Sequence, residues 1–300
     1  AGKSGAPPSY FWPYEKRRSG AGGKGFEAYS GGEEGEYLTD RLMDEALAFI
    51  EQKKDDPFLL VLAHYAVHTP IEAPEPMVEK YREIIAERGI PEGGPRSDRD
   101  VVVDNTGQVK TVQNNPTYAA MVESVDENLG RLVARLEELE LADSTAIILT
   151  SDHGGLSSRG LENMRELATT NLPYRHGKGW LYDGGIRVPL IVKWPGRVEP
   201  GQVSAVQVTG TDHYPTLLAM AGVGLRPAEH RDGRSYLPAL QGESYTRDPM
   251  FWHSSLGRPA STGDTRSSAV ISGDWKLIQW YSLEDATIVR TELYNLAEDP

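Results

Sequence analysis

Three apolar runs of strand length, "FLLVLAHY" at 58–65, "TAIILT" at 145–150 and "VPLIVKW" at 188–194, alternate along the chain with segments of helical periodicity. Runs this short suit strands buried on both faces, whereas a helix that is apolar all round needs more length. The helical segments carry their own signature. Leu42, Ala46, Phe49 and Ile50 recur at three and four over 38–52, and Met121, Val125, Leu129, Leu132, Leu136 and Leu139 do so over the longest stretch. A short helix near Pro76–Arg88 and another over "TDHYPTLLAMAG", capped by Thr211 or Asp212 and closed at Gly222, complete the set. Such alternation predicts an α/β fold with a mixed, mostly parallel sheet between helices over residues 1–245.

After residue 245 the pattern changes. "SAVISG", "WKLIQWYS" and "TELYNL" are short, split by Gly and Asp, and predict a smaller antiparallel sheet subdomain over 246–300. Val101–Val112 reads as a hairpin turning at Asn105–Gly107, and residues 1–36, rich in Gly, Pro and aromatics, read as an irregular surface segment. Gly130 interrupts the longest helix at a cost of about 1 kcal/mol relative to Ala, which suggests close packing there.

The formal charge of −13, from 31 Lys and Arg against 44 Asp and Glu, disfavours broad contact with nucleic acid. An anionic substrate must therefore be attracted by a few local cations. No run approaches the roughly 20 apolar residues of a membrane span. Cysteine is absent, so disulfides, thiolate metal sites and a cysteine nucleophile are all absent from these 300 residues. No signal peptide pattern opens the chain.

In α/β sheets ligands gather beyond the carboxyl ends of strands. "FLLVLA" runs into His64, Tyr65 and His68, and "TAIILT" runs into Asp152 and His153 ahead of a glycine pair. A carboxylate and an imidazole on adjacent residues at a turn can reach one cation. A hydrogen-bonded turn is the plainer reading of the same pair. Lys178 stands between Gly177 and Gly179, where it is either a solvated surface charge or an ammonium that a ligand can approach closely. Asp152, His153, His68 and Lys178 together offer a cation site and two donors for a tetrahedral oxyanion, which points to sulfuryl or phosphoryl ester hydrolysis.

At these residues the chain resembles the sulfatase family of the alkaline-phosphatase-like superfamily. The resemblance rests on "YLTDRLMDEALAFIEQKKDDPFLLVLAHYAVHTPIEAP", "YAAMVESVDENLGRLVARLEELELADSTAIILTSDHGG", "GKGWLYDGGIRVPLIVKWPG", "TDHYPTLLAMAG" and "ELYNLAEDP", five blocks in sulfatase order. It implies that Asp152 and His153 are ligands of a divalent cation, Ca2+ being usual, with Mg2+, Mn2+ or Zn2+ as alternatives. It further implies that His68 contacts the sulfate and supports the leaving group, and that Lys178 binds a sulfate or leaving-group oxygen. The expected substrate is a small-molecule or glycan sulfate ester, and the expected compartment is periplasmic or secreted. Oligomeric state is left open.

Two departures matter. His153 stands where many sulfatases have Asn, and imidazole suits transition metals better than Ca2+. The family's formylglycine arises from a Cys/Ser-x-Pro-x-Arg motif that these residues lack, and "GGKGFE" around Lys24 lacks the family's following histidine. The chain therefore reads as the C-terminal portion of a longer enzyme, inactive alone, with formylglycine expected upstream. His64, His176 and Arg187 are secondary candidates; in the plainer reading His176 is a solvated loop residue and Arg187 pairs with Asp183. A phosphomonoester or phosphodiester hydrolase of the same superfamily and a non-catalytic module that binds sulfated glycans are the competing functions.

Overall fold

A computed structural model describes residues 7–14, 31–93, 100–104, 107–163 and 165–298. The chain divides into two compact units, residues 1–97 with 113–142 and residues 98–112 with 143–300.

The first unit is built on three helices, α1 (Leu38–Lys53), α2 (Glu75–Glu87) and α3 (Pro116–Glu138). Asn115 caps α3 by accepting from the Tyr118 amide at 2.9 Å, and Pro116 occupies the first turn, where a missing N–H costs nothing. The buried face of α1 carries Leu38, Met43, Ala46 and Ile50. Met121 and Ala120 of α3 join Leu38, Val78, Ala73, Tyr10, Tyr14 and Tyr37 in one core. Full burial of side chains the size of Leu38 and Met121 stabilises by about 1.5–3 kcal/mol each. A polar contact fixes the pairing of α1 with α3, since the Asn128 amide donates to Asp40 at 2.7 Å.

The second unit is richer in strand. The hairpin β1 (Val101–Asp104) and β2 (Gly107–Lys110) is antiparallel, with Val101 opposite Lys110. β3 (Ile147–Thr150) follows, and then β4 (Ser158–Arg159), which extends the hairpin sheet by pairing with β2. A single helical turn, α4 (Asp183–Ile186), leads into β5 (Leu190–Lys193), which pairs with β3. α5 (His213–Met220) is entered through a capping box between Thr209 and Asp212. After α6 (Leu237–Leu240) come β6 (Met250–Ser254), β7 (Ser267–Ser272), β8 (Trp275–Tyr281) and β9 (Ile288–Asn295), a four-stranded antiparallel meander. Trp280, Ile278 and Ala269 of the meander pack on Trp180, Leu181 and Tyr182.

The helices, the Val101–Val112 hairpin and the C-terminal antiparallel sheet stand where the sequence places them. The boundary expected at 245 falls inside the second unit. Three expectations are corrected. The sheet is not mostly parallel: every strand pairing among the described residues is antiparallel, β3 with β5 included. "FLLVLAHY" joins no ladder among the described residues, and Leu59 and Val61 are exposed. An apolar run reports a preference for burial, but it does not name the strand that must lie beside it. The N-terminal segment is not a surface segment throughout, because Tyr10 and Tyr14 are fully buried; Ser9 and the Tyr10 amide both donate to Glu72, at 2.9 and 2.8 Å. Residues 15–30, with "GGKGFE", lie outside the described residues.

Gly130 gives a clean test of helix packing. A Cβ there would meet nothing within 4 Å, so the close packing expected of it is not found. Gly130→Ala should raise the free energy of unfolding by about 0.5–1 kcal/mol through helix propensity alone. An upward shift of the urea midpoint at unchanged slope is the expected result.

Candidate functional site

β3 ends at Thr150, and the chain turns sharply through Ser151–Gly155. The Ser151 hydroxyl donates to the His153 carbonyl at 3.0 Å, and His153 Nδ1 lies 2.9 Å from the Gly154 carbonyl. A carbonyl can only accept, so Nδ1 carries the proton and Nε2 is left facing Asp152 Oδ2 at 3.3 Å. Two electron-pair donors this close are compatible if Nε2 is also protonated, or if a cation takes a lone pair from each. An imidazole nitrogen and a carboxylate oxygen on an exposed turn are chemically suited to a divalent cation. They amount to half a coordination shell. Among the described residues no group of three or more His, Asp or Glu gathers to hold a metal.

The turn is held by backbone meshing. A Cβ on Gly154 would lie 1.8 Å from the Gly184 carbonyl oxygen, one on Gly177 would lie 2.2 Å from that of Gly155, and one on Gly185 would lie 2.0 Å from that of Trp180. Only hydrogen fits at these positions. The resulting approach lets the Gly154 amide donate to Gly185 at 2.9 Å and the Lys178 amide donate to Gly155 at 3.0 Å. Asn171 closes the arrangement: its amide donates to Gly155 O, Ser157 Oγ and His176 O at 2.9–3.0 Å. The glycines around Lys178 thus serve packing rather than flexibility.

The mesh sets the electrostatics. Lys178 is half-buried, and among the described residues its ammonium takes part in no hydrogen bond or ion pair. Burial pushes its pKa below the ordinary lysine value; the Asp152 carboxylate opposes that shift, while the Arg165 and Arg258 guanidinium groups add to it. The structure therefore brings Lys178 within the field of Asp152, next to His153. A second lysine is treated differently. Lys276 is buried and donates to Asp183 at 2.6 Å, which fixes α4 against β8.

The secondary candidates sort by burial. His176 is not a solvated loop residue: it is buried, and its ring stacks on Trp180 with centroids 4.1 Å apart. Arg187 braces the loop as expected, with Nη1 3.6 Å from Asp183 Oδ2, and lies over the Tyr174 ring. His68 and His64 belong to the first unit. His68 Nδ1 lies 2.8 Å from the Thr69 carbonyl, and its own carbonyl accepts from the Tyr10 hydroxyl at 2.9 Å. Burial lowers the pKa of His64, with Asp40 opposing, and its Nδ1 has no hydrogen-bond partner among the described residues.

Comparison with known proteins identifies the family. The sulfatase family profile matches residues 4–223, and that of the N-sulphoglucosamine sulphohydrolase C-terminal region matches residues 175–300. The chain belongs to the sulfatase family. A sulfatase of Formosa agariphila is 32% identical over 284 residues, 88% of this chain and 44% of its own length. The steryl-sulfatase of Mus musculus is 33% identical over 218 residues, 71% of this chain and 29% of its own. Among solved structures, Ps i-CgsB in complex with k-i-k-neocarrahexaose is 27% identical, with a TM-score of 0.65 over 89% of this chain and 50% of that one. The chain spans half or less of the length of these relatives, and it shares the alkaline-phosphatase-like fold of sulfatases.

Arg165 and Arg258, which act on Lys178, gave no sign in the sequence. Each lies in a polar, irregular stretch without periodicity, and only tertiary structure brings them to the lysine.

Gly154→Ala tests the mesh. The added methyl must displace the Gly184 carbonyl, so the variant should lose about 2 kcal/mol or more of stability. A urea midpoint equal to that of the unmodified chain would show that the two turns do not interlock.

Proposed function

We propose that this sulfatase-family chain carries the cation-holding and sulfate-holding part of a sulfuric ester hydrolase. The observation that carries the reading is the Lys178 ammonium, half-buried, without a partner among the described residues, and in the field of the Asp152–His153 pair. A sulfate oxygen supplies the missing hydrogen-bond acceptor, and its charge offsets the cost of burying the ammonium. Asp152 and His153 would supply an oxygen and a nitrogen ligand to a divalent cation. By resemblance to the family, His68 would contact the sulfate and support the departing alcohol.

A bound cation polarises the sulfuryl group, and formylglycine is the family's nucleophile. These 300 residues contain no Cys and no Ser in the required motif, so they supply electrostatic stabilisation but not that nucleophile. The substrate class is a sulfate ester of a small molecule or glycan.

One feature favours a second reading. The imidazole of His153 beside Asp152 is a donor set suited to Zn2+ or Mn2+, as in a phosphoester hydrolase of the same superfamily.

Calorimetric titration of inorganic sulfate in the presence of Ca2+ tests the main reading. Lys178→Ala should weaken binding by about tenfold or more, the loss of a charge-assisted hydrogen bond, and Asp152→Asn should weaken Ca2+ binding. The chain alone should not turn over an aryl sulfate. Equal sulfate affinity for the Lys178 variant overturns the assignment, and tight Zn2+ binding with a preference for inorganic phosphate favours the second reading.

A further inference from the structure

Three loops of the second unit close on one another, and each brings a cation. Loop 160–165 is bound to loop 258–264 by the Gly160 amide, which donates to Ser261 O at 3.1 Å, and by the Asn163 amide, which donates to Ala260 O at 2.5 Å. Loop 177–180 is tied to the same segment by the Trp180 indole, which donates to Thr262 O at 2.9 Å. Within loop 258–264 the amides of Ser261, Thr262 and Gly263 all donate to the Arg258 carbonyl at 2.9–3.1 Å, a rigid knot for its length.

These bonds fix where the charges lie. Arg165 Nη1 donates to Ser261 Oγ at 3.0 Å, and its carbonyl is held at 2.8 Å by the fully buried Arg159. Arg258 Nη2 lies so near the backbone of Gly179 that a Cβ there would be 2.8 Å from it. Lys178 is the residue before. Burial lowers the pKa of Arg165, and Arg258 lowers it further, so the cations are close enough to repel. The carboxylate of Asp264, 3.5 Å from Arg258 Nε and also bonded by the Thr262 hydroxyl, offsets part of this charge. The Asp152 carboxylate offsets part of the charge at Lys178. Three cations thus stand against Asp264, Asp152 and Glu162 of loop 160–165, in a chain of net charge −13.

We propose that Arg165 and Arg258 form a second anion subsite beside Lys178, so that the site takes sulfate esters of a sugar that carries a second sulfate group. The proposal rests on the reading of Lys178 as the ligand of the first sulfate. A second sulfate placed between the guanidinium groups relieves their repulsion and gains charge-assisted hydrogen bonds that a monosulfate cannot make.

The test is calorimetric titration of the 300-residue chain, in Ca2+, with glucose 6-sulfate and with glucose 3,6-disulfate. The disulfate should bind about tenfold tighter or more. Arg165→Gln and Arg258→Gln should each weaken the disulfate more than the monosulfate and bring the two affinities within about threefold, and Lys178→Ala should weaken both ligands. Arg165→Lys and Arg258→Lys, which keep the charge and impose less on the fold, should retain a preference for the disulfate. Equal affinities for the two sugars in a chain where Lys178→Ala still weakens both overturn the second subsite and leave the Lys178 reading standing. Binding of neither sugar, or binding indifferent to Lys178→Ala, overturns the Lys178 reading and the second subsite with it.

Discussion

Everything at the site depends on carbonyl oxygens seated where side chains would otherwise be. Gly154 and Gly177 each face a carbonyl of the opposing turn, and neither could carry a Cβ without driving it away. Because the contacts run both ways, the turn after β3 and the loop before α4 hold one another in a single arrangement. The amides released from ordinary secondary structure are satisfied across the seam, Gly154 to Gly185 and Lys178 to Gly155. The Asp152–His153 pair is the tip of one turn, and Lys178 belongs to the other.

That arrangement explains how an acidic chain keeps a cation available. A buried ammonium is stable when paired, as Lys276 is with Asp183. Lys178 is held half-buried, close to Asp152 but bonded to no carboxylate among the described residues, with Arg165 and Arg258 adding to its positive field. The cost of that repulsion is borne by the packed loops around it. An anion entering the site lowers that cost, and the same electrostatic logic connects the sulfate reading with the preference for a doubly sulfated sugar.

Much of this was legible in the sequence, and what was not has identifiable causes. Helix α3 announces itself through 3.6-residue periodicity, a local property, and the hairpin β1–β2 through its turn. Asp152, His153 and Lys178 were singled out because they follow or precede apolar runs of strand length. The direction of β5 against β3 was missed because apolar composition is the same in parallel and antiparallel pairs. Tyr10 was read as surface because an irregular segment leaves no periodic trace of burial. Gly177 and Gly179 were read as leaving Lys178 open to a ligand, since a sequence shows a missing side chain but not the carbonyl or side chain that occupies its place. Arg165 and Arg258 lie about 90 residues apart, and a contact at that separation leaves no local pattern.

Amide hydrogen exchange followed by NMR tests the central claim most directly. If the glycine seam is part of the cooperative core, the amides of Gly154 and Lys178 exchange as slowly as those in the middle of β7 and β8, and their protection disappears only with global unfolding. Exchange of those two amides at the rate of exposed turns, while β7 and β8 stay protected, would mean that the site loops open independently and that the meshed backbone does not hold Lys178 in place.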